Sequence, residues 1–184
     1  MKGKLTVITG CMFSGKTTRL ILLAQEALAI GKKIEIFYPE IDNRYTKNYI
    51  TSHDMLQLPS QALPLDVTRI DAHDKEVVFI DEVQFFKPTI IGVIEKMREQ
   101  GIVVIASGLD TNYRAEPFGS VPDLMTMADE VVTLHARCVV CQKDATRTQR
   151  VVGDRFAKKD DKTIVIGGED LYEARCVEHF VKPE

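Results

Sequence analysis

The octapeptide Gly10-Cys11-Met12-Phe13-Ser14-Gly15-Lys16-Thr17 constrains the fold of this chain more than any other feature. A glycine, four residues and then Gly-Lys-Thr make a phosphate-binding loop, but only where a strand enters and a helix leaves. Both flanks are present. Leu5-Thr-Val-Ile-Thr9 is a β-branched run, and Leu20, Leu23, Ala24, Ala27 and Leu28 recur at helical spacing until Gly31 stops them. The glycines let backbone N–H groups turn inward on phosphate oxygens. Lys16 can then reach the β- and γ-phosphates of ATP, Thr17 can ligate Mg²⁺, and the positive end of the helix faces the same anion.

The rest of the chain fits an α/β class. Lys33-Ile-Glu-Ile-Phe-Tyr38 reads as a second strand, followed by a polar functional loop over 39–53. Val77-Val-Phe-Ile80 and Ile102-Val-Val-Ile-Ala106 are wholly apolar, as strands buried on both faces of a parallel sheet are. Glu130-Val-Val-Thr-Leu134 is a further strand. A helix opened by Pro88 runs to Gly101, and a shorter one lies over 123–128. This alternation implies βαβ units and a parallel sheet flanked by helices. After residue 136 the texture changes to cysteines, short strands, a charged turn at 158–162 and the pair Gly167-Gly168. The division expected is a core over 1–136 and a small subdomain over 137–184.

Asp81-Glu82 follows directly on the buried run Val77–Ile80. At the carboxyl end of such a strand, Asp81 can hold the Mg²⁺ side, and Glu82 can take the proton of a nucleophile, water or a substrate hydroxyl. Cys138-x-x-Cys141 and Cys176-x-x-His179 have the spacing that turns two soft ligands onto one metal. Together they supply the four donors of a closed structural Zn²⁺ site with no position left for water. His53, His73 and His135 have no such pattern.

A net charge of −3 gives no general attraction for nucleic acid or anionic lipid, so any polyanion must be captured locally. No signal-peptide core follows Met1, and no stretch approaches the roughly 18 to 20 apolar residues that span a bilayer. A cytoplasmic location is expected, with the cysteines reduced.

The ordered set Gly-Cys-Met-Phe-Ser-Gly-Lys-Thr, Asp-Glu-Val-Gln-Phe-Phe, Gly-Leu-Asp and the late Cys-x-x-Cys with Cys-x-x-His resembles the zinc-containing thymidine kinases, from about Lys4 to Phe180. The resemblance implies a RecA-like P-loop core, a zinc-anchored lid over 137–184, a homotetramer, and feedback inhibition by thymidine triphosphate. It implies transfer of the γ-phosphoryl group of ATP to the 5′-hydroxyl of thymidine, and of deoxyuridine, within deoxynucleotide salvage. By the same resemblance Glu82 is the base, and Asp42 and Arg44 lie near the triphosphate. Met12, Phe85, Leu109, Tyr113 and Phe118 match the thymine and deoxyribose pocket. Thr148, Val165 and Tyr172 match the lid, and Gly167-Gly168 would bring its backbone too close for a purine. Two departures are visible: His179 stands where many relatives have cysteine, and Tyr113 where some have phenylalanine, adding a hydroxyl near the sugar. Two other classes share the phosphate loop, an ATPase that remodels a macromolecule and a non-enzymatic nucleotide sensor. The acidic surface argues against the first, and the intact Lys16, Thr17, Asp81 and Glu82 against the second.

Overall fold

The computed structural model describes residues 1–42, 48–52, 55–153 and 155–184. In chain order the elements are β1 (Leu5–Thr9), α1 (Lys16–Ala29), β2 (Ile34–Pro39), β3 (Tyr49–Thr51), β4 (Gln57–Pro59), β5 (Gln61–Leu63), β6 (Val77–Ile80), α2 (Thr89–Glu99), β7 (Val103–Gly108), α3 (Val121–Met127), β8 (Glu130–Thr133), β9 (Ala136–Arg137), β10 (Asp144–Ala145), β11 (Arg147–Val152), β12 (Arg155–Phe156) and β13 (Tyr172–Arg175). The expected strands and helices are all present within a residue or two, although Pro88 precedes the first helical residue of α2 instead of being it. The expected loop over 39–53 is in part a strand. Tyr49–Thr51 pairs with Gln57–Pro59, a three-residue ladder too short to show alternation.

Six strands form one sheet in the order β5-β2-β6-β7-β1-β8. Every neighbouring pair in it is parallel. Side chains alternate across the pleat, so each central strand feeds two apolar layers. Leu5, Val7, Val78, Ile80 and Val104 pack with Ile90, Ile94 and Met97 of α2 and Leu124 of α3. Ile8, Ile36 and Phe79 pack with Leu20, Ile21 and Ala24 of α1. Truncating Phe79, which is fully buried, to alanine would cost about 3–5 kcal/mol.

This layering positions the site. The chain leaves β1 for a helix on one face, but leaves β6 and β7 for helices on the other. Where connections diverge in this way, a crevice opens beyond the carboxyl ends of the strands. From Ala136 onward the ladders are short and antiparallel, with β10 on β9 and both β12 and β13 on β11. Cys11 of the phosphate loop shares a small buried cluster with Ala136, Cys138, Ala145, Ala174 and Cys176. The two regions of different texture therefore meet at that loop. No helix among the described residues is long and apolar enough to cross a membrane.

Candidate active site and metal cluster

The loop between β1 and α1 has the backbone its glycines allow. Gly10 has φ 145°, and a Cβ there would lie 2.2 Å from the carbonyl oxygen of Leu134. Gly15, at φ 83°, caps α1 from the left-handed region that glycine enters without strain. Lys16 is nearly buried and its Nζ donates to the carbonyl of Cys11 at 2.9 Å. Ser14 Oγ is buried with no hydrogen-bond partner among the described residues.

At the end of β6 the two carboxylates diverge. Asp81 turns back to the phosphate loop: Thr17 Oγ1 donates to its Oδ2 at 2.8 Å, and Ser107 Oγ donates to its Oδ1. A hydroxyl and a carboxylate in contact at this position are hard oxygen donors of the kind Mg²⁺ takes. Glu82 has φ 50° and ψ 41°, a left-handed backbone uncommon for a residue with a side chain, and it faces an adjoining cavity instead.

That cavity, about 520 Å³, is where the sequence expectations converge. Met12, Phe13, Gly15, Lys16 and Thr17 line one end. Glu82, Phe85, Leu109, Tyr113 and Phe118 form its wall, with the Phe85 and Phe118 rings edge to face at 5.9 Å. Thr148, Val165, Gly167 and Tyr172 close over it. The closure is tied down: Thr148 Oγ1 accepts the Met12 N–H at 3.0 Å, and the Tyr172 hydroxyl donates to the Val165 carbonyl at 2.7 Å. Of the expected phosphate-site residues, Gly10, Cys11, Ser14 and Asp81 stand behind the cavity surface. Asp42 is buried just past β2 and does not line it. Arg44 and His53 lie outside the described residues.

The Tyr113 hydroxyl departs from expectation. It lies 2.9 and 2.8 Å from the carbonyls of Lys158 and Asp161, and it accepts from Arg114 Nε. The phenol body lines the pocket while its polar tip fastens the 158–162 turn. Sequence reasoning missed Thr163, Ile164 and Ile166 in the closing segment. It also missed Ser107 behind Asp81 and Gln84 behind Glu82. The closing segment is an irregular stretch with no periodic signal. The other two act through neighbours that only folding supplies.

The ligand atoms of Cys138, Cys141, Cys176 and His179 all lie within 4.8 Å of one another. Cys141 Sγ is 3.7 Å from Cys176 Sγ, and His179 Nδ1 is 3.8 Å from Cys138 Sγ and 3.2 Å from Cys176 Sγ. Metal–ligand bonds of about 2.1–2.3 Å at tetrahedral angles give edges of about 3.4–3.8 Å, so the cluster can hold a zinc ion. Burial raises the Cys138 thiol, but backbone N–H groups of Cys176, Cys141 and Val140 outweigh it and bring it to about 6. For Cys141 the Lys143 N–H pulls downward, while burial and the neighbouring thiols push the net shift upward. One thiolate thus forms readily and opposes the next, a repulsion that a cation among them would relieve.

The fold and this loop define a P-loop nucleotide-binding protein whose crevice continues into an organic-ligand-sized cavity. More narrowly, the chain belongs to the thymidine kinase family, whose family model matches residues 3–180. It is 38% identical to the thymidine kinase of Thermococcus kodakarensis over 99% of this chain and 96% of that protein. It is 43% identical to the thymidine kinase of Coprothermobacter proteolyticus over 98% of this chain and 92% of that one.

Proposed function

We propose that the protein transfers the γ-phosphoryl group of ATP to the 5′-hydroxyl of thymidine, and to that of deoxyuridine. The observation that carries this is the single cavity in which Lys16 and Thr17, Glu82, and the closing residues Thr148 to Tyr172 all meet. A phosphate site and a nucleoside-sized pocket then share one carboxylate between them.

In this reading Gly10–Thr17 cradle the triphosphate, with Lys16 on the transferred group and Asp42 and Arg44 near it. Thr17 and Asp81 would hold Mg²⁺, which when bound neutralises charge on the β- and γ-phosphates. The nucleoside lies between Met12, Phe85, Leu109, Tyr113 and Phe118, held at its base by the backbone of 163–168. Glu82 takes the 5′-hydroxyl proton as the phosphoryl group leaves. Positioning supplies most of the rate, and the segment closing over the site keeps water out.

The finer features belong to the same proposal. Residues 1–136 form the nucleotide-binding core and 137–184 the lid, whose Cys138, Cys141, Cys176 and His179 carry one structural zinc. The enzyme works as a cytoplasmic homotetramer in deoxynucleotide salvage, inhibited by thymidine triphosphate. The family and the relatives' names support the kinase itself, and the antiparallel tail from Ala136 onward, with its gathered cysteines and histidine, supports the lid and its zinc. The test is a labelled-ATP assay against a nucleoside panel. Thymidine and deoxyuridine become labelled monophosphates, while deoxyadenosine, deoxyguanosine and thymidine monophosphate do not. Efficient labelling of a purine nucleoside would overturn the assignment.

A further inference from the structure

Gln84 is 2% exposed and lies two residues past the proposed base. Its Nε2 donates to Glu82 Oε2 at 2.5 Å, while its Oε1 accepts the Leu109 N–H at 3.1 Å. The sense of the amide is fixed by chemistry. The Leu109 N–H can only donate, so the oxygen faces it and the NH₂ faces the carboxylate.

Two glycines make room for this arrangement. A Cβ on Gly108 would lie 2.6 Å from Gln84 Oε1, and one on Gly119 would lie 2.1 Å from the Gln84 carbonyl oxygen. Glu82 meanwhile sits at a left-handed φ of 50°, a backbone state that persists only where surrounding contacts impose it. Leu109 lines the same cavity as Glu82. One buried amide therefore bridges the carboxylate and the nucleoside wall.

We infer that Gln84 is a positioning residue for phosphoryl transfer: it aims the Glu82 carboxylate into the cavity and locks that aim to the wall formed by Leu109. The inference rests on the reading of Glu82 as the base. It has a second consequence, because a donor on the ionised carboxylate favours that form. Removing that donor therefore moves the carboxyl's titration upward.

The experiment uses Gln84→Glu, Gln84→Ala, Glu82→Gln and the double variant Gln84→Ala/Glu82→Gln, in single-turnover thymidine phosphorylation by ATP across pH. Gln84→Glu keeps the size and the acceptor for Leu109 but exchanges the neutral amide donor for a second carboxyl, whose charge or shared proton opposes ionisation of Glu82. The other titratable groups facing the cavity, Lys16, Tyr113, Glu169 and Tyr172, with Asp81 beside Glu82, are unchanged. The expected result is a rate at neutral pH lower by about 10- to 100-fold, the cost of misplacing a reacting group by an ångström. The acid limb moves upward, and the KM for ATP stays within about twofold. Gln84→Ala moves rate and limb in the same directions. It adds nothing once Glu82 is already glutamine, since residues acting as a unit are non-additive. Wild-type rate and acid limb in both Gln84 variants, beside a slow Glu82→Gln, overturn the inference and leave the base assigned. A rate that falls together with the melting temperature, with the limb unmoved, also overturns it, because Gln84 is then structural alone. A fast Glu82→Gln instead removes the base reading, and this inference with it.

Discussion

Cys141→Ser separates a zinc-anchored lid from a merely packed one. Cys141 is partly exposed, whereas Cys138 and Cys176 are buried, so its replacement removes a ligand with little loss of packing. The buried cluster around the site consists of alanines and cysteines alone. At roughly 0.8 kcal/mol per buried CH₂, such small side chains hold it weakly without a metal. A structural zinc supplies about 10–16 kcal/mol over four ligands, so one ligand is worth roughly 2.5–4 kcal/mol. That corresponds to zinc affinity lower by about two to three powers of ten. The assay is competition against a zinc-binding dye, followed by amide hydrogen exchange. Wild type should hold about one equivalent per chain, the filling of one four-ligand site. In the variant, protection should fall over 136–152 and 172–180 while β1, β6 and α1 keep theirs. Unchanged zinc affinity in Cys141→Ser would refute the ligand assignment. Loss of protection in β6 in step with the tail would refute the claim that the metal's contribution is local.

Three further outcomes follow from particular contacts. Glu82→Gln should lower turnover by about a hundred- to ten-thousand-fold with ATP and thymidine affinities nearly constant by calorimetry, as expected on losing a general base; more than about a tenth of wild-type turnover would exclude it from that role. Thr148→Val keeps the shape but leaves the Met12 N–H without its acceptor. At about 1–3 kcal/mol for an orphaned donor, the melting temperature should fall by about 2–12 °C, and an unchanged melt would mean the contact is not made in solution. The Leu5 N–H, and with it the Arg98 guanidinium, holds the Asp129 carboxyl below its usual range. A group lowered on folding stabilises above its unfolded value, near 3.9, and loses that contribution as pH falls through the folded value. Asp129→Asn should therefore lower the melting temperature at pH 7 and converge with wild type in acid; an equal deficit at both would assign the effect to packing.

The sequence determined those parts of the protein whose cause is local. Val77–Ile80 could only be a strand buried on both faces, and it is. The glycines at 10 and 15 permit the turn that makes a phosphate loop, and the paired Cys-x-x spacings name four ligands that do come together. Tertiary structure decided what depends on neighbours far apart in the chain. The edge strand Gln61–Leu63 has no pattern of its own and is a strand because β2 offers it a ladder. Tyr113 reads from sequence as a hydroxyl for the sugar, yet the carbonyls of Lys158 and Asp161 claim that hydroxyl from a turn some forty-five residues on. Ser107 lies in no motif, and Gln84 sits in one without its spacing revealing a role; each matters through the carboxylate it touches. Residue types and spacing encode which groups a chain can bring to a site. Which of their atoms face it is settled by contacts that form only once the sheet has closed.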